Sequence, residues 1–126
     1  ALDDPGASKS AGTALIQWSV NAGVNQHWTF APAGTAFTVT NVASGLLIDV
    51  NGGSTADDAA IIQWSADGGT NQLWTMVDAG GGYTKLVCVR SGKVIGVRGD
   101  STADNAAIVQ QTDTGDISQH WQMIPV

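Results

Sequence analysis

The sequence predicts an all-β fold of three like units closed around a common axis, and three observations carry that prediction. The tetrapeptides NQHW (25–28), NQLW (71–74) and SQHW (118–121) place Trp28, Trp74 and Trp121 at separations of 46 and 47 residues. Upstream, the segments LDDPGASKSAGTALIQW, IDVNGGSTADDAAIIQW and IGVRGDSTADNAAIVQQ, starting at Leu2, Ile48 and Ile95, align without a gap. Short apolar or β-branched runs alternate with Ser-Gly, Gly-Gly and Asp-Gly turns, and no stretch holds the apolar stripe of a helix. A fixed period of this length marks a repeat architecture. Three units of about four strands each predict a β-trefoil, whose closure protects its strand edges.

Taking the elements in order, the units run over residues 1–34, 35–80 and 81–126. The middle unit shows the pattern in full, with strands expected at FTVTN (37–41), LLIDV (46–50), AIIQW (60–64) and QLWTMV (72–77). The first unit begins at the equivalent of LLIDV and has no counterpart of AFTVTNVASG (36–45) or YTKLVCVRSG (83–92). A barrel lacking that strand leaves unpaired backbone groups on both neighbours. The expectation is that another segment fills the gap, from a second copy of the chain or a neighbouring domain.

At 126 residues the chain suits a single domain with one core. Hydrophobic residues make up 43%, and no apolar run approaches the roughly 18 residues that cross a membrane. The net charge of −6 includes only five Lys and Arg, scattered along the chain, so the cationic surface that nucleic acid or an anionic membrane requires is missing. Cys88 is the single cysteine, which excludes an intrachain disulfide. The opening ALDDPGASKS has neither the basic start nor the apolar stretch of a leader peptide.

Comparison of equivalent positions separates two kinds of tryptophan. Trp28, Trp74 and Trp121 occur in every unit and are expected in the core. Trp18 and Trp64 are matched in the third unit by Gln111, although Ile16, Ile62 and Val109 beside them stay apolar. A buried unpaired amide costs about 1–3 kcal/mol, so Trp18 and Trp64 are expected to face solvent, where an indole can stack on a sugar ring. Two further changes coincide in the third unit: Asp3 and Asp49 become Gly96, and Asn25 and Asn71 become Ser118. A carboxylate accepting hydrogen bonds from adjacent hydroxyls, beside an aromatic platform, is the chemistry of a sugar site. The plain alternative is that these aspartates only hold turns.

The Q-x-W ending of each unit, preceded by Ile-Asp-Val and the IIQW strand, resembles the ricin-B-type (R-type) β-trefoil lectins and the related carbohydrate-binding modules of glycoside hydrolases. The resemblance spans essentially the whole chain. It implies two carbohydrate sites, Asp3, Trp18, Asn25 and Gln26 in the first unit and Asp49, Trp64, Asn71 and Gln72 in the second. In each, the Asp would bind sugar hydroxyls, the indole would stack, the Asn would add a hydrogen bond and the Gln would steady the Asp. The third unit, with Gly96, Gln111 and Ser118, should be silent. Some family members carry a further Gln on the aromatic's strand face, where this chain has Ile16 and Ile62, while Gln17 and Gln63 would point the other way; galactose-type and xylan-type glycans both remain open. The resemblance implies a secreted or extracellular setting, with the cytoplasm the alternative, and a glycan partner with no cofactor.

Catalysis finds little footing. All eleven acidic residues are Asp, at repeat-equivalent turns rather than as one asymmetric pair flanking a glycosidic bond. His27 and His120 share one repeat position, where the second unit has Leu73, which points to a structural role. There is no HExxH, GxSxG or Cys-His cluster, and DVNGGSTADD lacks the spacing and closing Glu of an EF-hand loop. The reading is a non-catalytic glycan binder, against a β-trefoil serving as a protein-interaction or structural subunit.

Overall fold

In a computed structural model covering residues 1–126, the chain forms a β-trefoil of ten strands joined by turns and single 3-10 turns. The strands are β1 (Leu2–Asp3), β2 (Ile16–Gln17), β3 (Trp28–Ala33), β4 (Ala36–Asn41), β5 (Leu47–Val50), β6 (Ile61–Trp64), β7 (Trp74–Gly80), β8 (Tyr83–Cys88), β9 (Val94–Val97) and β10 (Ile108–Gln111). Every pairing is antiparallel. β3 with β4 and β7 with β8 form the hairpins that join successive units, and β1–β2, β5–β6 and β9–β10 form one equivalent hairpin in each unit. The Gly80–Gly82 run that turns β7 into β8 lies wholly at positive φ, conformations that side chains with a Cβ resist.

β2, β6 and β10 meet around the axis through single bridges, Ala14 with Ile62, Ile16 with Ala107 and Ala60 with Val109. Side-chain amides reinforce that ring. Gln17 donates to the carbonyls of Ser101 and Ala103, Gln63 to those of Ser8 and Ser10, and Gln110 to those of Ser54 and Ala56. These glutamines do turn away from the aromatic face, and each ties its own unit to a different one. Because Gln63 and Gln110 are completely buried, such bonds satisfy amides that would otherwise be costly to desolvate.

The core repeats with the sequence: Leu15, Ile61 and Ile108 occupy one level, Leu2, Ile48 and Ile95 another. At the next position Val50 and Val97 are matched in the first unit by Asp4, whose carboxylate is fully buried without a hydrogen-bond partner. Burial, followed by repulsion from Asp3, pushes its pKa up to about 6.

The three Q-x-W tryptophans lie in or against the core, as expected, but are not equally buried. All three tether their indole N–H to a strand carbonyl of their own unit, on Leu2, Ile48 and Ile95. Trp74 is 1% exposed, whereas Trp28 and Trp121 are only half-buried. The reason is the absent strand. Trp74 pairs with Phe37 of β4 and Trp121 keeps only a bridge to Thr84, while residues 122–126 are exposed and form no strand. The four strands expected of each unit are therefore present only in the second, and there the fourth begins at Trp74 because 70–72 form a 3-10 turn. A groove of about 460 Å³, lined by Leu2, Trp28, Phe30, Leu86, Trp121 and Ile124 among others, marks the open seam. No helix is long and apolar enough to cross a membrane.

Candidate functional site: two clefts and a filled third

The antiparallel register explains why widely spaced residues converge. Asp49 on β5 lies opposite Ile62 on β6, and Trp64 follows two residues later on the same face of that strand. The 3-10 turn at Thr70–Gln72 then brings Asn71 and Gln72 against β5. Gln72 Nε2 donates to Asp49 Oδ2 at 2.9 Å and to the Ser65 carbonyl at 2.8 Å, and Asn71 Nδ2 donates to the Val50 carbonyl at 3.2 Å. Asp49 Oδ1 receives no hydrogen bond from the chain. The carboxylate is 3% exposed, and burial, moderated by the Gln72 bond, holds its pKa above the ordinary carboxylate range. Trp64, by contrast, is 42% exposed. The four sequence-predicted residues thus form one cleft of about 530 Å³, with an indole wall and one uncommitted carboxylate oxygen; Gln72, buried behind it, touches the cleft only through Asp49.

The first unit repeats the arrangement. Asp3 lies opposite Ile16 on β2, Trp18 is 38% exposed, and Gln26 Nε2 donates to Asp3 Oδ2 at 2.8 Å. Asn25 Nδ2 donates to Asp3 Oδ2 and to the Asp4 carbonyl, at 3.3 and 3.0 Å. Asp3, Ile16, Trp18 and Asn25 line a cleft of about 390 Å³. In both units the Asn Oδ1 packs against a glycine two residues earlier, Gly23 or Gly69, so closely that a Cβ there would collide with it.

Several lining residues escaped the sequence reading because other loops deliver them. Asn21 and Asp67 each accept the backbone N–H of the following glycine, Gly23 or Gly69, and so shape the turn before the Asn. Asn105 reaches the first cleft from the third unit, and Arg90 reaches the second from the β8–β9 turn. The repeat itself was the available signal for Asn21 and Asp67; none marked Asn105 or Arg90.

In the third unit the place of the Asp–Trp pair is filled rather than merely vacated, although a cavity of about 420 Å³ lined by Val97, Asp100, Asp116 and Ser118 lies beside it. A Cβ on Gly96 would collide with the Gln111 carboxamide, which lies folded into that space. Gln111 Oε1 accepts from Gln119 Nε2 at 3.0 Å, replacing the aspartate as partner of the Q-x-W glutamine, and Gln111 Nε2 donates to the Val97 carbonyl at 3.3 Å. The expected penalty for Gln at this position is thereby avoided, since both ends of its amide are bonded. Ser118 Oγ donates to Asp100, and Asp116 caps the Ser118 N–H where the other units have glycine. The Arg98-Gly99-Asp100 tripeptide has its guanidinium paired with Asp58 at 2.9 Å.

Comparison with known proteins agrees with this architecture. The profile described as ricin-type beta-trefoil lectin domain-like matches residues 1–64, 24–111 and 70–126. No curated protein sequence matches the chain. Among solved structures, the designed threefold-symmetric protein ThreeFoil is 39% identical with a TM-score of 0.97, over 99% of this chain and 90% of that one. An exo-β-1,3-galactanase from Clostridium thermocellum is 36% identical with a TM-score of 0.96, over 99% of this chain but only 27% of the galactanase chain. The Rhizoctonia solani agglutinin, at 18% identity and a TM-score of 0.87 over 96% of this chain and 83% of that one, shares the fold. The chain belongs to the ricin-type β-trefoil lectin domain-like family.

Proposed function

We propose that the protein is a non-catalytic glycan-binding domain with two sites, Asp3, Trp18, Asn25 and Gln26 in the first unit and Asp49, Trp64, Asn71 and Gln72 in the second, the third unit being silent. The observation that carries this reading is the open carboxylate–indole cleft in two units against its filling by Gln111 in the third. In each site a sugar ring lies on the indole and its hydroxyls donate to the free carboxylate oxygen, while the Q-x-W glutamine holds the carboxylate in place. The galactanase likeness favours a galactose-type glycan over a xylan-type one, and a module of a larger enzyme. Sites this shallow support dissociation constants of about micromolar to millimolar, and two on one domain raise avidity on a polymeric glycan. The test is glycan binding by calorimetry: Trp18→Ala with Trp64→Ala abolishes it and Gln111→Ala leaves it intact, and a double variant that still binds as the parent does removes the assignment.

A specific observation also favours a polypeptide contact. The seam leaves Trp28 and Trp121 half-buried, and its counterparts in the other units are covered by β4 and β8. We infer that it takes one antiparallel strand of the same pattern, with an aliphatic residue where Val39 and Leu86 insert. A peptide of residues 35–45 added in excess raises the thermal midpoint and shifts Trp fluorescence to the blue; if a scrambled peptide does the same, the inference fails.

A further inference from the structure

The two clefts differ in charge at two places. Asp67 stands where the first cleft has Asn21, and Arg90 stands where it has Ala43, as alignment of Asn41-Val-Ala-Ser-Gly with Cys88-Val-Arg-Ser-Gly shows. Asp67 serves the same turn as Asn21, accepting the Gly69 N–H at 2.8 Å. Arg90 has no such counterpart. Its Nε donates to Thr70 Oγ1 at 3.0 Å and its Nη1 to the Gly53 carbonyl at 3.5 Å. The guanidinium lies directly over Gly53, where a Cβ would collide with Nη1, so a glycine makes room for it.

Those contacts fix the plane of the guanidinium and leave its Nη2 edge without a partner. Lys85, Lys93 and Arg98 each have an Asp within 4 Å, whereas Arg90 has none and lines the same cleft as Trp64 and Asp49. A planar cation with a free edge beside a stacking surface matches a carboxylate on a sugar ring or its neighbour. Asp49 and Asp67 are the like charges such a ligand would meet, but each already has an oxygen engaged, by Gln72 and by Gly69.

Resting on the reading of this cleft as a sugar site, we propose that Arg90 makes the second site selective for glycans bearing a uronic acid, while the first takes neutral sugars. The test uses Trp18→Ala to isolate the second site and titrates two matched pairs, galactose with galacturonate and xylobiose with its glucuronate-substituted form. The uronate member of at least one pair binds about fivefold tighter in dilute buffer, and the ratio falls toward one in 0.5 M NaCl, since an exposed charge contact is modest and screened by salt. Arg90→Ala collapses the ratio and Arg90→Lys keeps part of it. Neutral members binding as well as or better than uronates, or a preference that survives Arg90→Ala, overturns the proposal while leaving the sugar site standing. No binding of any probe, with Trp64→Ala silent as well, overturns both together.

Discussion

The second and third units carry the same central hairpin, β5–β6 and β9–β10, at the same register, yet at the Asp–Trp position one is open and the other is plugged. In both, the Q-x-W glutamine needs an acceptor at the same point: Asp49 Oδ2 meets Gln72 in one, Gln111 Oε1 meets Gln119 in the other. The difference shows that the glutamine is a structural demand of the fold, and that an aspartate satisfies it with one oxygen to spare while a folded-in carboxamide leaves nothing facing outward. Loss of Asp, Trp and Asn in one unit is then a single coordinated repacking.

The comparison can be broken at its core first. Trp74→Ala removes a fully enclosed indole and is expected to cost about 3–5 kcal/mol, whereas Trp121→Ala, at the open seam, costs about half as much; urea denaturation of both variants measures the contrast. Equal losses would mean that the seam is closed in solution.

Extending the comparison to the first unit, Asp4→Val installs the residue that the other two units have. The displacement of its pKa from 3.8 to about 6 corresponds to about 3 kcal/mol. Because the folded pKa is raised, the native state holds the proton more tightly, so the parent loses stability as pH climbs from about 4 to about 6 and stays low above that. Asp4→Val is expected to gain about 2–3 kcal/mol at pH 7 and little at pH 4, as thermal melts across that range would record.

The plug itself gives the next test. Gly96→Asp alone displaces Gln111 and is expected to cost about 1–2 kcal/mol, and adding Gln111→Trp recovers most of it. Glycan titration of the Gly96→Asp, Gln111→Trp, Ser118→Asn variant checks whether a third binding equivalent appears. On acidification, binding at the second site fades while the pH is still above the ordinary carboxylate range, since protonating Asp49 removes its acceptor charge. The smallest effect is expected from Arg98→Ala, which breaks the exposed pair with Asp58 and costs less than about 1 kcal/mol in a salt-dependent melt.

The fold and the paired clefts were legible because the chain carries its own comparison: Asp3, Trp18, Asp49 and Trp64 stand out against Gly96 and Gln111 with no other information. The seam was legible as well, from the missing counterpart of 36–45. Other features depend on neighbours that spacing does not reveal. Arg90 reaches the second cleft from a turn between strands of the next unit, and the plug emerges only once Val109 is known to lie opposite Gly96. The unequal burial of the three Q-x-W tryptophans was hidden for a like reason, since Trp74 is covered by Phe37 and Cys88 on two different strands, and spacing does not show which of these each tryptophan keeps.

The three axial glutamines carry a consequence beyond packing. Gln17 holds the third unit, Gln110 the second and Gln63 the first, so the bonds run in a closed cycle with no first or last member. A lone unit keeps none of them. Removing any one unit therefore strands an amide of another, so the three units depend on one another for the burial of their own polar groups.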